Sequence, residues 1–127
     1  MTRLLIIRHG NTFGPDEEPR RVGVGTDIPL VLSGITQARA LGSYLKRENM
    51  IPNTIYASAL QRAQQTAQIM MHEAGQDKGI ITDENFNEID HGPDENKTED
   101  EIIERLGKGV LEEWNAFGVV PDGWNVD

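Results

Sequence analysis

The chain has no cysteine among its 127 residues, which excludes disulfides and thiolate metal sites and fits a reducing compartment. No stretch approaches the roughly 20 apolar residues that a membrane-spanning helix needs. Met1–Ile7 is too short for a signal peptide and lacks a cleavage pattern. The expectation is a cytoplasmic protein with no membrane partner. Positive charge is scarce, with 12 Lys and Arg against 21 Asp and Glu and a net charge of -9. Such a chain repels a phosphate backbone, so no nucleic-acid partner is expected, although a small anion can still enter a locally basic pocket. The three histidines lack metal-ligand spacing, and Asp94–Glu101 lacks the residue order of a calcium loop. The length suits one domain with a real core and is too short for two.

Apolar runs are present but brief. Leu4–Ile7 is too short for a helix and reads as a strand buried on both faces, as in parallel sheets covered by helices. Asn11–Gly25 mixes prolines, glycines and charges without an apolar period and reads as a long, candidate functional loop. Ile35, Ala38, Leu41 and Leu45 recur at helical spacing that dies before Pro52. Thr54–Ala57 reads as a second strand, followed by Ser58 as N-cap with Gln61 in capping-box position and a helix over about 59–72. Ile80–Thr82 reads as a third strand, and Asp83–Glu101 as mostly loop. Thr98 and Glu101 form a second capping box, ahead of helical spacing at Ile102, Leu106, Val110 and Trp114. Strand and helix alternate, which implies an α/β fold with parallel strands.

In open α/β sheets ligands gather beyond the carboxyl ends of strands. Arg8-His9 and Ser58–Arg62 both follow such ends, so two separate segments point to one edge. A guanidinium fits phosphate oxygens in pairs, and Arg62 near a helix start would add to backbone N–H groups and the positive end of the dipole. The expected ligand is a small phosphorylated metabolite or inorganic phosphate. A histidine held by a backbone acceptor on one ring nitrogen can offer the other as a nucleophile, which fits His9. Gly10 would let the backbone pass close to the anion, and Asn11 would add an amide donor. Taken singly, such residues are ordinarily structural or solvated. His72 and His91 are read that way.

The combination says more. "LIIRHGNT", "TDIPLVLSGITQARALG", "IYASALQRAQQTAQIM" and "FNEIDHG", in that order, resemble the histidine phosphatase superfamily, also called the phosphoglycerate mutase-like family. The resemblance implies a mostly parallel central sheet with helices on both faces, and phosphoryl transfer through a phosphorylated His9 without metal or other cofactor. Arg8 and Arg62 would hold the phosphoryl group. Glu88 in "NEIDHG" would donate a proton to the leaving oxygen. A general acid needs a raised pKa, which partial burial and an anionic neighbour would give Glu88.

Three departures shape the expectation. The family carries a second catalytic histidine in a "His-Gly" context well downstream, whereas no histidine follows His91 in this sequence. The family strand leading to it lies beside the first, so residues 1–127 read as a single α/β domain incomplete at its C-terminus. An unpaired apolar strand edge would favour association into a homo-oligomer. The mutases' "RHGxSxWN" opening is also absent, since "RHGNTFGPDEEP" lacks the serine and the tryptophan. That leans the activity towards phosphomonoester hydrolysis, with mutase transfer or non-catalytic phospholigand binding as the alternatives. Where relatives read "PLTxxG" or "PLSxxG", this chain reads "PLVLSG", so Val31 cannot cap the next helix by side chain and Ser33 is the candidate cap.

Overall fold

The computed structural model describes residues 1–126. Its elements in chain order are β1 (Arg20–Arg21), α1 (Leu32–Arg47), β2 (Tyr56–Ala57), α2 (Gln61–Glu73), β3 (Ile81–Thr82), β4 (Lys97–Thr98), α3 (Glu99–Leu106) and α4 (Lys108–Phe117), with 3-10 turns at 84–86 and 92–94. They fall into two compact units, one formed by Met1–Pro15 with Ile28–Asn87 and the other by Asp16–Asp27 with the segment from Glu88 onward. Among the described residues no helix is long and apolar enough to cross a membrane.

The first unit is built on α1 and α2. Leu45, Ile55, Ala67, Met70 and Met71 form its buried core, with Leu5, Leu41, Met50, Ile51 and Ile80 packed around them. The helices approach so closely that a Cβ on Gly42 would lie 2.2 Å from the Met70 carbonyl oxygen. A Gly42→Ala change therefore loses more to overpacking against backbone than alanine's helix propensity returns, and about 1–3 kcal/mol of stability should go. Gly109 in α4 has no atom within 4 Å of its Cβ position, so Gly109→Ala should gain up to about 1 kcal/mol. Urea midpoints moving in opposite directions would bear this out, and a shared direction would not.

The β2 and β3 strands pair in parallel, Tyr56 with Ile81 and Ala57 with Thr82, as the alternation of elements predicts. Leu4–Ile7 departs from expectation. It joins no ladder among the described residues, and Leu4 and Ile6 are 79% and 88% exposed. Only Leu5 packs against the core. An apolar run tells what environment suits a strand but does not supply its neighbour.

Two helix starts also differ. The α1 helix begins at Leu32 with Val31 as an N-cap that makes no side-chain bond. Ser33 lies inside the first turn, where its hydroxyl accepts the Asn11 side-chain amide at 3.3 Å, and it is not the cap. The α2 helix begins at Gln61 with Leu60 as N-cap. Ser58 sits three residues before the first helical residue, too far back to reach the second or third helical amide. Its carbonyl accepts from Gln64 Nε2 at 2.8 Å, and the Ser58–Gln61 box does not form.

In the second unit the long loop holds a short strand. β1 pairs antiparallel with β4, Arg20 with Thr98 and Arg21 with Lys97. The Thr98–Glu101 capping box forms as expected, with Thr98 N donating to Glu101 Oε2 at 2.9 Å and Glu101 N to Thr98 Oγ1 at 3.3 Å. The helical spacing from Ile102 to Trp114 is divided into α3 and α4 at Gly107, whose φ is 91°. Ile102, Leu111 and Trp124 form the core. Asp94, fully buried, accepts from Arg105 Nε at 2.8 Å, from Arg105 Nη2, and from Trp124 Nε1 at 2.8 Å. Asn125 is tied to Asp90 through N to carbonyl at 2.9 Å and Nδ2 to Oδ2 at 2.8 Å.

Candidate active site

His9 is half-buried and its Nδ1 lies 2.8 Å from the Gly10 carbonyl oxygen. A carbonyl only accepts, so Nδ1 carries the proton and Nε2 the lone pair. This is the arrangement the sequence predicts for a nucleophilic imidazole. Gly10 N donates to Thr66 Oγ1 at 3.0 Å, and the Thr66 hydroxyl donates to the Arg62 carbonyl at 2.7 Å. The turn after His9 is thereby fastened to the first turns of α2.

Arg62 is the second residue of that helix and is 1% exposed. An ordinary surface charge on a helix is solvated, and burying a guanidinium is costly unless something uses it. The structure thus joins His9 and the α2 start in one unit, as the two converging segments predict. Arg8 is exposed.

Gly10 and Asn11 are both held against the start of α1. A Cβ on Gly10 would fall 2.5 Å from the Gly34 carbonyl oxygen. The missing side chain is required by the backbone of α1 at Gly34. Asn11 binds α1 at three points. Its N donates to Gln37 Oε1 at 2.8 Å, its carbonyl accepts from Val31 N at 3.0 Å, and its Nδ2 reaches Ser33 Oγ at 3.3 Å. Both residues anchor the turn that presents His9.

Glu88 belongs to the second unit and is exposed. The partial burial expected of it is absent. Its Oε1 accepts from Ile89 N at 3.0 Å. Arg20, Arg21, Glu88, His91, Glu99 and Trp114 line an open hollow of about 440 Å³. His91 is 5% exposed, its ring edge-on to Trp124 with centroids 4.6 Å apart. Burial pushes the His91 pKa below its ordinary value of 6.5, with Glu95 opposing. His91 is structural, as expected, and His72 is exposed, 3.5 Å from Asp77.

Sequence reasoning missed Thr66, Glu95 and the Arg20–Arg21 pair. The two arginines had a signal, adjacent cations in an acidic stretch. Thr66 and Glu95 had none, since each acts through backbone groups distant in sequence.

The sequence matches the profile of the histidine phosphatase superfamily (branch 1) over residues 4–125. The chain belongs to that superfamily. This histidine phosphatase chain is 35% identical over 127 residues to the 2,3-bisphosphoglycerate-dependent phosphoglycerate mutase of Methylobacterium sp. (strain 4-46), covering 97% of itself and 60% of that protein. Its fold is similar to that of Bacillus stearothermophilus YhfR, with a TM-score of 0.74, 31% identity, and coverage of 93% of this chain and 56% of the other. It is also similar to a mycobacterial glucosyl-3-phosphoglycerate phosphatase solved in complex with inorganic phosphate, with a TM-score of 0.70, 25% identity, and coverage of 92% and 51%. The histidine phosphatase chain therefore has the α/β, phosphoglycerate mutase-like fold, and it spans about 60% of the length of the curated relatives it matches.

Proposed function

We propose that this chain carries the nucleophilic half of a phosphohistidine enzyme whose reaction is phosphomonoester hydrolysis. The observation that carries the reading is the His9 ring, whose Nδ1 is held by the Gly10 carbonyl at 2.8 Å, so that attack on phosphorus falls to Nε2. In the proposed reaction the Nε2 lone pair forms an N–P bond as the ester P–O bond breaks, and the Glu88 carboxyl gives its proton to the departing oxygen. Water then attacks phosphorus, Glu88 recovers a proton from it, and the N–P bond breaks to release phosphate. Arg8 and Arg62 neutralise the transferred group, which is the main demand of phosphoryl transfer. Gly10 and Asn11 contribute by holding the turn. The matching fold would be a mostly parallel sheet, flanked by helices on both faces, in which Leu4–Ile7 is a central strand of one domain.

Mutase transfer is the second reading, favoured by the 35% identity to a phosphoglycerate mutase. Exposure to an aryl phosphate without added metal, followed by intact-mass measurement, tests the main proposal. An acid-labile gain of about 80 Da at His9 with release of phosphate is expected. Phosphate binding with no adduct would instead identify a non-catalytic phospholigand-binding protein. An adduct discharged only to a phosphorylated sugar acid would identify a mutase.

A further inference from the structure

The glycine-rich stretch Gly23–Thr26 looks like a cradle for an anion, but its donors are already engaged. Gly23 N donates to Glu95 Oε2 at 2.9 Å and Gly25 N to Glu95 Oε1 at 3.3 Å. The Thr26 hydroxyl also bonds Glu95 Oε2. Between them, Val24 N donates to the Ile89 carbonyl at 3.0 Å, and Thr26 N to the Gly23 carbonyl at 3.1 Å. The Glu95 carboxylate occupies the cradle. Its Oε1 accepts from His91 N at 3.2 Å as well, so one carboxylate holds the loop and the segment just after Glu88. There is no room to loosen it, since a Cβ on Gly23 would lie 2.1 Å from the Ile89 carbonyl oxygen.

We infer that Glu95 is a positioning residue for the proton donor Glu88, acting through the Gly23–Thr26 loop that grips Ile89 and through the His91 amide. This rests on the reading of Glu88 given above. Burial works to raise the Glu95 pKa, but the hydrogen bonds from Thr26 and from the His91, Gly25 and Gly23 amides outweigh it and hold it below 4.5. The carboxylate is therefore charged at neutral pH. Those bonds fix the backbone at the Ile89 carbonyl and the His91 amide, and Glu88 is the residue before Ile89. An acid displaced by even an ångström loses its transition-state hydrogen bond while the nucleophile is untouched.

The discriminating measurement is leaving-group dependence. A 4-nitrophenyl phosphate releases a stable anion that needs little protonation, whereas glycerol phosphate releases an alkoxide that needs it badly. The glycerol-to-nitrophenyl ratio of kcat/KM should fall at least about tenfold in Glu95→Gln and further in Glu88→Gln, because general acids supply about 10²–10⁴-fold. Loss of packing alone would lower both rates together and leave the ratio in place. A fall in Glu88→Gln without one in Glu95→Gln overturns the inference and leaves the assignment of Glu88 standing. An unchanged ratio in Glu88→Gln, or a parent that hydrolyses neither ester, overturns that assignment and the inference with it. If Glu95→Gln does not fold, Thr26→Val removes one bond to the carboxylate without changing charge, and it should shift the ratio in the same sense by a smaller factor. No shift there counts against the inference.

Discussion

Asp94→Ala should lower the unfolding free energy by about 3–5 kcal/mol, the range seen when one partner of a buried ion pair is removed. Asp94 has no exposed surface, and its two oxygens take three donors, two from Arg105 and one from Trp124 Nε1. Alanine leaves the guanidinium and the indole N–H facing a cavity. It also releases Trp124 from the core it shares with Ile102 and Leu111. The pH dependence follows from the same contacts. Hydrogen bonding from Arg105 holds the Asp94 carboxyl below 3.8, against the opposing effect of burial and with help from Trp124. A carboxyl with a depressed folded pKa contributes stability that is complete above its unfolded value of about 3.9 and is lost as pH falls through the folded one. Urea unfolding at pH 7 and at pH 3 should therefore show the parent's margin over Asp94→Ala narrowing at the lower pH. An Asp94→Ala midpoint within experimental scatter of the parent at pH 7 would remove the ion pair from any structural account.

Much of this was legible in the chain, and the rest failed for identifiable reasons. Helical spacing located α1 because one-faced periodicity is a local property of the sequence. The Thr98–Glu101 box was readable because both of its bonds close within four residues. The Ser58–Gln61 pattern has residues of the same capping types and fails because the helix starts at Gln61, with Leu60 as its N-cap. Leu4–Ile7 illustrates a further limit. Its composition announces burial, yet a strand's burial depends on what lies beside it, which no local pattern carries. Among the candidate site residues, His9 and Arg62 were picked out by type and position, and the structure places them in one compact unit. The close packing of Gly10 and the bonds of Asn11 were not legible, because their partners, Gly34, Gln37 and Ser33, come from a helix some 25 residues on. Glu95 was invisible for the same reason, as its bonds to Gly23, Gly25 and Thr26 span about 70 residues.

His9→Ala should reduce metal-free phosphatase turnover at least about a thousandfold, since groups that act as a unit lose nearly all of their effect when the nucleophile is removed. Two features make the imidazole and not its neighbours the sensitive point. The Gly10 carbonyl fixes the tautomer, and the bonds from Gly10 to Thr66 and from Thr66 to Arg62 hold the turn whether or not the ring is present. The alanine variant should therefore fold as the parent does, keep its affinity for inorganic phosphate within about threefold, and fail only in transfer. Added imidazole should restore part of the lost rate, because a small nucleophile can enter the space vacated by the ring and form the same N–P bond. His9→Asn, which fills that space with a side chain of similar polarity, should block the rescue. A His9→Ala rate within tenfold of the parent would mean that phosphorus is attacked by something else. The Gly10 carbonyl would then be holding a structural histidine. Rescue of His9→Ala but not of His9→Asn would place the attacking nitrogen where the His9 ring now stands.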